Sequence, residues 1–121
     1  ALDDRYEVLG ISALKGGINL EQQVQDPLGK LTIDRHARWR ILHDYHCGGF
    51  ARVNPPLREF MLAFESAHGV QLDPVYTGKM LFAIYQLCER GEWDADESLL
   101  AIHTGGLQGR RGYSWLRGET L

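Results

Sequence analysis

The chain has no apolar run near the roughly 18 residues that cross a bilayer as a helix, so no membrane span is expected. Its first residues, Ala1-Leu2-Asp3-Asp4-Arg5, form neither a basic nor an apolar leader, and the expected location is cytoplasmic. Positive charge is scarce. With 13 Lys and Arg against 16 Asp and Glu, the net charge of −3 argues against a general nucleic-acid binder, which needs clustered cations for phosphate. The small basic knots Arg35/Arg38/Arg40 and Arg110/Arg111 read as solvated faces. Only two cysteines occur, Cys47 in a strand-to-loop context and Cys88 in a helical one, so free thiols are expected rather than a disulfide framework.

Several motifs are missing as well. A phosphate-binding P-loop needs glycine where Asp73 stands and Ser or Thr where Met80 stands. TGGLQG lacks the first glycine of a dinucleotide fingerprint and has no helix-forming sequence after it. His43, His46 and Cys47 have no fourth ligand at zinc-site spacing, which leaves no metal site expected.

What remains is an ordinary globular composition: 121 residues, 44% hydrophobic and 24% charged, enough for one domain. The segment 6–12, YEVLGIS, reads as a buried strand followed by a turn at Lys15-Gly16-Gly17. Residues 19–25 form a polar, moderately helical patch that Asp26-Pro27 and Gly29 should end. Residues 33–40 read as a short helix or loop, and 39–45, WRILHDY, as a second strand ending at Cys47-Gly48-Gly49. Asn54 can cap a helix that Pro55 starts, with Leu57, Phe60, Met61 and Phe64 on one stripe and Gly69 at its end. Asp73 and Pro74 repeat that start signal, and Met80, Leu81, Ile84, Tyr85, Leu87 and Cys88 should form a broad buried face before Gly91. A third strand is expected at 99–103, LLAIH.

Strands separated by helices predict an α/β fold with a parallel sheet, which must be covered on both faces. Three strands barely supply that cover. The chain also opens almost directly into a strand without an initial Met, so the expectation is one piece, residues 1–121, of something longer, completed by its missing N-terminal part or a second copy.

Ligands of open α/β sheets bind beyond the carboxyl ends of the strands, where Gly48-Gly49, Thr104-Gly105-Gly106 and Tyr76-Thr77-Gly78 would converge. Taken singly, these glycines make turns, Thr77 is a helix cap, Tyr76 a satisfied core phenol and His103 a buried structural histidine. Taken together, residues 72–79, LDPVYTGK, and 102–106, IHTGG, resemble motifs of the 1-aminocyclopropane-1-carboxylate (ACC) deaminase and D-cysteine desulfhydrase family. The resemblance runs from about residue 6 to 109.

The resemblance implies the C-terminal part of a pyridoxal-phosphate enzyme with the tryptophan-synthase β-subunit (fold type II) architecture. It also implies a homodimer and a small amino-acid substrate that is deaminated or loses a β-substituent. Tyr76 matches the family tyrosine that faces substrate, where a phenol near a cation gives up its proton more easily than its ordinary pKa of about 10 suggests. Thr77, with Thr104, Gly105 and Gly106, would lie by the cofactor ring. A threonine in place of the acidic residue of characterised ACC deaminases favours elimination over opening of the cyclopropane. Phe50 stands where the family carries a second tyrosine; the ring is kept and the hydroxyl lost, and positioned proton transfer is typically worth about 10²- to 10⁴-fold. The Schiff-base lysine and the phosphate loop are expected upstream of Ala1. Lys79, one turn into its helix, reads as a surface or ion-paired residue. The rival expectation is a non-catalytic interaction or regulatory domain that retains the fold.

Overall fold

The computed structural model describes residues 6–16, 19–30 and 38–117. Strand β1, Glu7–Ile11, runs through helix α1, Leu20–Gly29, into strand β2, Arg38–Leu42, and the strands pair in parallel from Glu7 opposite Arg38 to Ile11 opposite Leu42. Helices α2, Pro55–His68, and α3, Thr77–Glu89, follow; a 3₁₀ segment, Leu107–Gly112, and the short α4, Ser114–Arg117, close the described chain. The α/β expectation stands as a two-stranded parallel sheet with flanking helices.

The second strand stops at Leu42 instead of running to residue 45, because its partner ends at Ile11 and the final rung is Ser12 N–H to the Leu42 carbonyl at 2.9 Å. The third expected strand is a correction. Residues 99–103 form no strand among the described residues, and Leu100 and Ile102 are 88% and 66% exposed. A strand exists only against a hydrogen-bonding neighbour, and nothing described pairs with this run.

Helix α1 also departs from expectation, continuing through Asp26 and Pro27 to Gly29. Gln22 Nε2 donates to Asp26 Oδ1 at 2.5 Å, an i,i+4 side-chain bond that carries the helix across the predicted break, and Lys30 N–H then closes on the Pro27 carbonyl. Residues 33–37 lie outside the described residues, while 38–40 belong to β2 rather than to a helix or loop.

Helix α2 forms as its sequence predicts. The Asn54 side chain accepts from Leu57 N–H at 3.0 Å, Pro55 occupies the first turn, and Gly69 ends it at φ 65° in the left-handed region glycine favours. Its stripe buries Leu57 and Met61 completely, forming with Cys47, Leu72 and Leu116 the larger core. Phe60 joins α2 to α3 through Phe82 and Tyr85, at ring separations of 5.7 and 5.1 Å. A second cluster, Tyr45, Ala83 and Leu87, fastens α3 to the ends of both strands through Ile11 and Leu42.

Helix α3 buries a narrower face than predicted. Leu87 is buried, but Tyr85 is 41% exposed and Cys88 is exposed, because the inward stripe follows residues 79, 83 and 87. Arg110 is a further correction: it is buried, not solvated, and Nη1 contacts Glu65 Oε1 at 2.6 Å and the Leu72 carbonyl at 2.8 Å. This ion pair holds the 3₁₀ segment against α2. Arg40 stays at the surface, bridging Glu7 and Glu92 at 3.0 and 3.1 Å. Both cysteines are free.

Candidate functional site

The start of α3 is organised by one carboxylate. Asp73 is 1% exposed, and its Oδ1 accepts from Val75 N–H at 2.9 Å and Tyr76 N–H at 2.7 Å. Its Oδ2 accepts from Thr77 N–H at 3.0 Å and the Thr77 hydroxyl at 2.6 Å. Asp73 N–H returns a bond to Thr77 Oγ1 at 2.9 Å. These bonds satisfy donors that a helix start would leave open, which is why Asp73 caps α3 although the helix itself begins at Thr77.

The second motif rests on that carboxylate. A Cβ at Gly106 would stand 3.2 Å from Asp73 Oδ2, and φ is 92° at Gly105 and 78° at Gly106, so the loop requires glycine both for its turn and for its approach. His103 fastens the loop further. Its Nε2–H donates to the Gln71 carbonyl at 2.8 Å while Nδ1 accepts from Gly105 N–H at 3.0 Å, a pair of partners that selects the neutral Nε2–H tautomer. His103 is exposed rather than buried, but satisfied.

The structure brings together residues 71–77 and 103–109 around Asp73, and separately Tyr76 with Phe50. The Tyr76 and Phe50 rings lie 6.1 Å apart and each residue is 55% exposed. Both line a cleft of about 490 Å³ at the carboxyl end of β1, whose other walls include Gly10, Ser12, Leu14, Leu20 and Val24. Thr77 is buried with its hydroxyl turned to Asp73, and Thr104 is exposed one residue before Gly105.

Lys79 corrects the surface assignment. It is 1% exposed, and its Nζ donates to the Gly49 carbonyl at 2.7 Å. Burial lowers its pKa, opposed by Cys47 and Asp73 nearby; burial likewise raises the Cys47 thiol, opposed by Lys79. The i,i+4 register with Ala83 and Leu87 is the signal that places Lys79 on the inward stripe. Among the described residues, no group of three or more His, Cys, Asp and Glu side chains is arranged to hold a metal ion, and no helix is long and apolar enough to cross a membrane.

These features define an α/β domain whose polar knot at a helix start adjoins an aromatic-walled cleft at the end of a parallel strand. The chain matches no protein-family model. It is 33% identical over 108 residues to a Pyrococcus abyssi protein named "Putative 1-aminocyclopropane-1-carboxylate deaminase", covering 86% of this chain and 32% of that protein. A Pyrococcus furiosus protein of the same name is 31% identical over 76% of this chain and 28% of its own length. The D-cysteine desulfhydrase of Salmonella paratyphi C is 33% identical over 74% of this chain and 26% of its own length. The chain is homologous to proteins named ACC deaminase and D-cysteine desulfhydrase, the resemblance that its two motifs indicated. It spans between about a quarter and a third of the length of the curated relatives it matches.

Proposed function

We propose that the 121 residues are the later part of the cofactor domain of a pyridoxal-phosphate enzyme with the tryptophan-synthase β-like fold, acting on a small amino acid. The observation that carries this reading is the junction at Asp73, where the two family motifs meet at the start of one helix. The short match to longer relatives supports the fragment. The lysine that bonds the cofactor and the loop that holds its phosphate belong to the preceding part of the polypeptide, so the isolated chain is inactive.

Each of the two motifs offers a surface to a flat ring, although the cleft that Tyr76 lines includes none of Thr77, Thr104, Gly105 and Gly106. A Cβ on Gly105 would meet nothing within 4 Å, so a planar group can lie against that backbone, and Tyr76 contributes an exposed phenol from the other motif. When bound, the cofactor supplies an electron sink for a substrate carbon. Tyr76 would orient the substrate and move a proton through its phenol oxygen. Phe50, without a hydroxyl, excludes water from the facing wall. Thr77 gives its proton to Asp73 and keeps an oxygen lone pair that can only accept, and Thr104, Gly105 and Gly106 complete the ring edge.

Thr77 favours elimination of a β-substituent over ring opening. The encoded full-length protein should therefore release sulfide and pyruvate from D-cysteine, with water consumed and ammonia freed, faster than 2-oxobutyrate from ACC. Tyr76→Phe should lower kcat at least about 10²-fold. Unchanged turnover in that variant removes Tyr76 from the site, and turnover by the isolated 121-residue chain with added cofactor overturns the fragment reading. A second reading, a non-catalytic domain that binds a partner, draws on the exposed apolar residues Leu99, Leu100 and Ile102. An upstream sequence without a cofactor lysine would favour it.

A further inference from the structure

The loop that carries Phe50 into the cleft includes two residues in a backbone conformation that side chains rarely adopt. Cys47 and Ala51, at φ 55° and 59°, are non-glycine residues in the left-handed region, and Gly48 and Gly49 between them sit at 101° and 123°. Conformations of this kind persist only where the surroundings over-determine them. Its own turn bonds hold part of it, Gly49 N–H to the His46 carbonyl at 3.2 Å and Arg52 N–H to the Gly49 carbonyl at 3.0 Å, and two side chains from distant elements add a constraint on each side of Phe50. From the first turn of α3, Lys79 Nζ donates to the Gly49 carbonyl at 2.7 Å. From the segment before α4, the Tyr113 hydroxyl donates to the Ala51 carbonyl at 2.5 Å.

We propose that Lys79 and Tyr113 are positioning residues that clamp the loop at Gly49 and Ala51, hold the Phe50 ring opposite Tyr76, and so set the width of the cleft offered to substrate. The assignment rests on the cleft being the substrate site. Lys79 lies three residues after Tyr76, so one turn of α3 presents one aromatic wall and fixes the other. Its burial argues for a specific role, since an ammonium at 1% exposure, held by a carbonyl instead of a paired carboxylate, forfeits solvation that a leucine or methionine would not. Tyr113 reaches a carbonyl 62 residues away in sequence, and burial, with Asp73 adding to it, raises its pKa, which keeps the phenol a donor.

The test uses the encoded full-length protein with 4-fluorophenylalanine at position 50. Tyr76→Leu should move the fluorine resonance by removing the neighbouring ring. Lys79→Met, which keeps the side-chain volume, and Tyr113→Phe should each shift or split the same resonance while the far-ultraviolet circular dichroism stays that of the parent. An unmoved, single resonance in both variants overturns the proposal. Should Lys79→Met fail to fold, Tyr113→Phe decides on its own. With D-cysteine as probe, each variant should raise KM about 10-fold and change kcat less, because a displaced wall weakens substrate placement. A protein that turns over neither D-cysteine nor ACC yet shows the fluorine response refutes the enzyme reading and upholds the clamp; turnover with unmoved resonances does the reverse.

Discussion

The start of α3 and the run at 99–103 are both short segments of one α/β domain, and they are held in opposite ways. At Asp73 a single carboxylate receives three backbone N–H groups and a hydroxyl, with a glycine loop pressed against it. At Leu99, Leu100 and Ile102 the side chains are 47%, 88% and 66% exposed. The first segment carries its own partners within the chain. The second has the composition of a buried strand without a described neighbour, so its conformation depends on what it meets.

The largest way to break this contrast is Asp73→Ala, which takes the acceptor from the half-buried N–H groups of Val75 and Tyr76 and from the buried N–H and hydroxyl of Thr77. Loss of about 3–5 kcal/mol is expected in denaturant titration of the full-length protein. Gly78→Ala comes next. Its Cβ would lie 2.7 Å from the Asp73 carbonyl and 2.8 Å from Met61 Sδ, and the backbone contact cannot swing away, so about 2 kcal/mol should be lost.

Replacing Leu100 by Ser sharpens the comparison, since the change should stay within about 0.5 kcal/mol in the 121-residue chain by itself. In the full-length protein the same change should cost about 2 kcal/mol, as removal of a covered leucine would.

Lys79→Met gives the smallest and most pH-dependent effect. Lys79 has its pKa below the ordinary 10.5, so between the two values the unfolded chain binds the proton and the folded one does not. Stability from this group therefore rises with pH. Cys47 lies above its ordinary 9.0, holds its proton longer when folded, and loses stability as pH climbs past that point. The variant removes the rising contribution and also the charge that opposes the rise of the Cys47 thiol, which deepens the falling one. Its urea midpoint should match or exceed the parent's near neutrality and fall more steeply on the alkaline side.

What the sequence makes legible is local. Asn54, Pro55 and Gly69 bound α2 because a cap, a fixed φ and a left-handed glycine act within a turn, and the stripe from Leu57 to Phe64 needs only helical periodicity. The strand at β1 is readable from its apolar run, but its expected burial is not found: Glu7 and Val8 are exposed and Leu9 to Ile11 only half-buried. Pairing is not legible: 99–103 has a strand's residues, and residues alone do not supply the hydrogen-bonding partner. Charge misleads at two positions. Residue type places Lys79 and Arg110 in solvent, yet Gly49 and Glu65, 30 and 45 residues away, provide carbonyl and carboxylate inside. In the candidate site, the family motifs single out Tyr76, Phe50 and the loop glycines, whereas Asp73 as their common support requires the fold.

That shared support ties the fates of positions 73 and 106. Any side chain introduced at 106 would crowd the aspartate that seats three amides, and a shorter residue at 73 would make room only by unseating them. Sequence drift among homologues should thus treat the aspartate of one motif and the last glycine of the other as a single inherited unit, exchanged together or not at all.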